Sequence, residues 1–100
     1  MTTINVKKGK HIKEIEMTGH ANFADFGKDI VCAAISSIVT TTINAIIRID
    51  DSSIKYTVND GYIKIEILKN NEIINILIEN MLEELKSIQD KYKKNIKINI

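Results

Sequence analysis

Apolar and polar positions follow two periods along the chain, and the switches between them predict its elements. Ile4 and Val6 alternate in a short strand, and Lys8-Gly9-Lys10 reads as a hairpin turn in which glycine supplies the positive φ. A second strand runs from His11 to Met17, with Ile15 and Met17 on one face and Ile12 on the other. His11 reads as a solvated strand residue. Gly19 to Lys28 has no sustained apolar period and has glycine near both ends, so it reads as a loop. From Asp29 to Ile49, Val31, Ile35, Ile38, Val39, Thr42, Ala45, Ile46 and Ile49 recur at helical spacing. The polar run Asp50-Asp51-Ser52-Ser53 ends that helix.

Alternation then returns. Ile54, Tyr56 and Val58 form one strand and Ile63, Ile65 and Ile67 another, joined by the tight-turn signal Asn59-Asp60-Gly61. A second helix starts from Asn70 or Asn71 as its cap. Its stripe of Ile73, Ile74, Leu77, Ile78, Met81, Leu82, Leu85 and Ile88 is the clearest period in the chain. Ile96, Ile98 and Ile100 alternate in a last strand that suits a sheet edge. The expected fold is α+β in the order β-β-α-β-β-α-β, a mainly antiparallel sheet with two long helices packed on one face.

Length and charge narrow the function. One hundred residues suffice for one modest core, so residues 1–100 read as a single domain. With 14 basic and 13 acidic residues, the net charge of +1 makes no electrostatic case for nucleic acid or an anionic membrane as partner. One cysteine excludes an internal disulfide, which fits a reducing cytoplasm. Ile30 to Ile47 carries no charge and nearly has the length to span a bilayer. However, Ser36, Ser37, Thr40, Thr41 and Asn44 fall on one side of it, as on a helix lying against a protein core. No membrane role is expected.

The candidate chemistry is concentrated in residues 19–36. They hold the only cysteine, one of the two histidines and two of the four glycines. Asp29 is suited to cap the first helix by accepting from the free amides of its first turn. Cys32 then sits at the third helical position, near the positive end of the helix dipole. Such a site, or a neighbouring imidazolium, favours the thiolate. His20 lies across the loop from Cys32, and a cysteine activated by histidine is a minimal constellation for acyl transfer. Asp29 can orient that imidazole as well as cap. Ser36 lies one turn beyond Cys32 on the same side. The competing reading makes Cys32 a small buried hydrophobe and His20 a solvated loop residue.

The run Gly19-His20-Ala21, then Gly27-x-Asp29-Ile30-Val31-Cys32-Ala33-Ala34-x-Ser36, closely resembles the signature of the ribosomal-processing cysteine proteases, the Prp family. The resemblance implies that His20 and Cys32 are the catalytic dyad, with Asp29 and Ser36 as supporting residues and Gly19 as a loop hinge. It also implies a homodimer and one principal substrate. That substrate is the N-terminal extension of a large-subunit ribosomal protein, cut after an aromatic residue within an apolar stretch. On that reading the segment carrying Phe23, Phe26 and Gly27 is a substrate-binding loop that orders on the peptide. The plainer reading of both rings is that they pack the loop down.

The alternative function is a non-catalytic ribosome-assembly or RNA-associated module with a packed cysteine. The lack of a basic stripe interleaved with aromatics weighs against it. A thiol redox sensor would lack a resolving cysteine in this chain. His11, His20 and Cys32 are too few for a structural zinc site, and neither metal nor cofactor is expected.

Overall fold

The computed structural model describes residues 1–25 and 27–100. The elements are β1 (Thr2–Lys8), β2 (Ile12–Thr18), α1 (Ile30–Ile49), β3 (Ile54–Asn59), β4 (Tyr62–Ile67), α2 (Glu72–Lys91) and β5 (Ile96–Asn99). Their order is the expected one. The strands form one five-stranded sheet in the spatial order β3-β4-β2-β1-β5. Three pairings are antiparallel, and β1 and β5 run parallel. The sheet is therefore mixed, with β5 at one edge as expected and β3 at the other.

Its two faces differ in chemistry. Ile4, Ile15, Met17, Ile65 and Ile96 are buried in one cluster with Val31, Ile35, Val39, Ile43 and Ile46 of α1 and Ile74, Ile78, Met81 and Leu85 of α2. Both helices thus cover one face, as strand alternation requires. The other face carries a charged ladder in which Glu14 meets Lys7 at 3.4 Å and Lys64 at 3.5 Å. Like the cross-strand pair Glu14 and Glu66, these residues point away from the core.

Three departures from the simple periods have local causes. Ile12 is buried with Ile15 rather than facing away from it. Lys8 pairs with Ile12 while Lys7 pairs with Glu14, so Lys13 is an extra residue in a β-bulge and reverses the alternation. On α1, Ile43 is buried, while Thr42 donates its hydroxyl to the Ile38 carbonyl at 2.8 Å. Ile49 and Ile73, at the ends of their helices, project beyond the core and are exposed.

Capping fixes where the helices begin. Asp29 Oδ1 accepts from the N–H groups of Val31 and Cys32, and Asn71 Oδ1 accepts from those of Ile73 and Ile74. α1 is apolar and long enough to cross a membrane by length and composition. Its outward face nevertheless carries Ser36, Ser37, Thr40, Thr41 and Asn44, all exposed. A lipid-facing surface would instead present hydrocarbon.

Ile15 is fully buried at the centre of the sheet. Replacing it with alanine is expected to lower the unfolding free energy by about 2–5 kcal/mol, read from urea denaturation.

Candidate active site

The end of β2, the start of α1 and the β3–β4 turn meet at one end of the sheet. Three backbone features bring them together. Gly19, with φ of +87°, donates its N–H to the Gly61 carbonyl at 2.9 Å. A Cβ at Gly19 would lie 2.5 Å from the Met1 carbonyl oxygen, so only glycine fits this crossing. Asn22, with φ of 56°, and Gly27, with φ of +82°, also adopt the left-handed region and fold the loop back toward α1.

Asp29 is the anchor of that loop. One carboxylate oxygen caps α1, accepting from Val31 N–H at 3.0 Å and Cys32 N–H at 2.9 Å. The other accepts from Phe23 N–H at 2.9 Å and Ala24 N–H at 3.4 Å. Desolvation by itself raises the pKa of this group. The backbone N–H groups of Cys32, Phe23 and Ala24, together with the Cys32 side chain, outweigh it and hold the carboxyl below its ordinary value of 3.8.

Further contacts come from the C-terminal part of the chain. The Phe23 ring meets Tyr92 edge to face, with centroids 5.3 Å apart. The Asn95 side-chain N–H donates to the Ala21 carbonyl at 3.0 Å. Ala21 is 1% exposed, and its own N–H donates to Cys32 Sγ at 3.3 Å. The cysteine is half-buried, neither sealed in the core nor fully exposed.

His20 rests on the β3–β4 turn. Its Nε2 lies 3.7 Å from Asp60 Oδ1, and a Cβ at Gly61 would approach that nitrogen to 3.1 Å. Its carboxylate neighbour is therefore Asp60, while Asp29 is occupied with backbone. His20 and Cys32 line one cavity of about 580 Å³, together with Gly19, Gly27, Asp29 and Ser36. Met17, Ile35, Val58 and Ile63 supply apolar walls. Phe23 packs on Tyr92 and remains partly exposed. Phe26 lies outside the described residues. Among the described residues, no cluster of histidine, cysteine and acidic side chains is placed to hold a metal ion.

Comparison with known proteins decides the family. Residues 1–97 match the family described as Cysteine protease Prp. The chain belongs to this family and is a cysteine protease. It is 32% identical over 99 residues to the ribosomal processing cysteine protease Prp of Staphylococcus aureus, covering 96% of this chain and 93% of that protein. To the Bacillus subtilis protein of the same name it is 33% identical over 103 residues, covering 96% and 92%. The crystal structure of S. aureus Prp with a covalently linked product peptide superposes with a TM-score of 0.94 at 29% identity, covering 99% of this chain and 98% of that one. The same enzyme with a substrate peptide gives 0.87 at 28% identity and the same coverage.

The local sequence pointed to His20, Asp29, Cys32 and Ser36, but not to Asp60, Tyr92 or Asn95. Asp60 and Gly61 were visible only as turn formers, and nothing local marks Tyr92 or Asn95 as neighbours of residue 21.

Two outcomes follow from this geometry. Asp29→Ala is expected to lower the unfolding free energy by about 1–2 kcal/mol, the usual range for a lost cap, and to speed proteolytic nicking between residues 21 and 28. Because folding depresses the Asp29 pKa, its contribution is present above pH 3.8 and is lost as pH falls through the lower folded value. Urea midpoints of wild type and Asp29→Asn measured from pH 6 downward should therefore converge in acid.

Proposed function

We propose that this single-domain protease removes the N-terminal extension of a large-subunit ribosomal protein through a dyad of Cys32 and His20. The supporting observation is that both residues line one cavity with partly apolar walls, with Cys32 at the start of α1 and an N–H aimed at its sulfur. The family relationship, with relatives described as ribosomal processing proteases and solved with substrate and product peptides, supports the substrate class.

In the first step His20 turns from the Asp60 side toward Cys32 and takes the thiol proton. Sγ attacks the scissile carbonyl carbon, and the π electron pair moves onto oxygen. Collapse of this intermediate breaks the C–N bond, and the leaving amine takes its proton from the imidazolium. Water, deprotonated by His20, then cleaves the thioester and releases the acid. Ser36, one turn from Cys32 on the cavity wall, supports the peptide or the sulfur by hydrogen bonding. Gly19 is the hinge of the loop, and Phe23, Phe26 and Gly27 belong to the segment that closes on substrate.

The cavity walls fit an apolar peptide. Met17, Ile35, Val58 and Ile63 offer hydrocarbon to residues flanking the cleaved bond. The chain works without cofactor or metal and acts in the cytoplasm, where ribosomal proteins are made. It forms a homodimer, for which the open edges of β3 and β5 are available surfaces.

A peptide carrying an aromatic residue in an apolar ribosomal-protein extension tests this reading. Wild type should cut it after the aromatic residue. Cys32→Ala should fall to background and His20→Ala by about 10²–10⁴-fold. Equal turnover by all three would remove the dyad.

A further inference from the structure

The helix start is the obvious place to hold the negative oxygen formed when Cys32 attacks, yet its amides at Val31, Cys32 and Ala33 are already engaged. Val31 and Cys32 N–H both donate to Asp29 Oδ1, and Ala33 N–H donates to the Asp29 carbonyl at 3.1 Å. Phe23 and Ala24 N–H in the loop are taken by the other Asp29 oxygen. The Ala21 N–H is different: it points at Sγ itself from 3.3 Å. A donor resting on the nucleophile is close to where an oxyanion bonded to the attacked carbon will form.

Ala21 is held in that position from the far end of the sequence. Asn95, 74 residues along the chain, donates its side-chain N–H to the Ala21 carbonyl. Asn95 is itself fixed by two backbone bonds: its N–H donates to the Tyr92 carbonyl at 2.9 Å, and its carbonyl accepts from Thr2 N–H at 2.9 Å. Both survive replacement of the side chain. Asn95 thus ties Ala21 to the turn between α2 and β5, where β5 joins the sheet beside β1.

We propose that Asn95 is a positioning residue for catalysis, holding the Ala21 N–H so that it stabilises first the Cys32 thiolate and then the oxyanion. This assignment rests on Cys32 being the nucleophile. The Sγ–carbon bond forms as the carbonyl π pair moves to oxygen, and the Ala21 N–H donates to that oxygen without transferring its proton. When the oxygen pair reforms the carbonyl, the C–N bond breaks and the interaction relaxes. An amide held before the reaction needs no reorganisation during it.

The test uses the full chain, the aromatic-containing extension peptide, and folded fractions measured by circular dichroism. In Asn95→Ala and Asn95→Asp, kcat per folded molecule should fall about 10–100-fold with KM changed less than threefold, as expected when a reacting group is misplaced. A purely structural role would lower the melting temperature and the folded fraction but leave kcat per folded molecule unchanged, and that result overturns the proposal. An amide-to-ester replacement of the His20–Ala21 bond deletes the Ala21 N–H while leaving every side chain in place, its other effect being a weaker His20 carbonyl acceptor. It can be built by ligation at Cys32, and it keeps the question open to refutation if the Asn95 variants do not fold. The ester chain should lose about 10²–10³ in kcat. Wild-type kcat in that chain would mean that another donor, such as the Asn22 side chain on the cavity wall, holds the oxyanion. Failure of the dyad is distinguishable, because Cys32→Ala would then cut the peptide as well as wild type does.

Discussion

One carboxylate organises the reactive end of this molecule. Asp29 accepts four backbone N–H groups, two from the first turn of α1 and two from the loop that precedes it. A helix start leaves amides without partners, and a tight loop does the same. A single acidic side chain between them satisfies both sets. The consequence is geometric: Cys32 and the residues after His20 cannot be placed independently. The depressed pKa of Asp29 is the electrostatic signature of the same arrangement, since each donated hydrogen bond favours the charged form.

The fold brings other parts of the chain to this junction. The β3–β4 turn supplies the seat for His20 through Asp60 and Gly61. The end of α2 supplies Tyr92 against Phe23, and the turn into β5 supplies Asn95 against Ala21. The loop between β2 and α1 is thus held from three directions while its outer surface stays open to the cavity. The His20–Asp60 pair is solvent-exposed and 3.7 Å long. Such pairs are weak, so the imidazole can leave it readily.

Membership of the Prp family rests on more than architecture, since the match runs through residues 1–97 in sequence. Sheets covered on one face by two helices host many unrelated activities. This chain places one thiol, one imidazole and the carboxylate that binds the intervening loop around one cavity, walled in part by Met17, Ile35, Val58 and Ile63.

The sequence by itself determined the element order, the Asp29 cap and, to within one residue, the cap of the second helix. These depend on spacing of 2 or 3.6 along a local stretch and on side chains that bond their own neighbours, as Asp29 and Asn71 do. It did not determine the bulge at Lys13, because register exists only relative to a partner strand. Nor did it reveal the parallel pairing of β1 with β5, or that Tyr56 and Val58 would stay exposed on an edge strand. Only the tertiary structure decided that Asp60 would face His20 and that Asn95 would hold Ala21. Contacts between residues tens of positions apart follow from how the sheet is ordered, and no local pattern records that order.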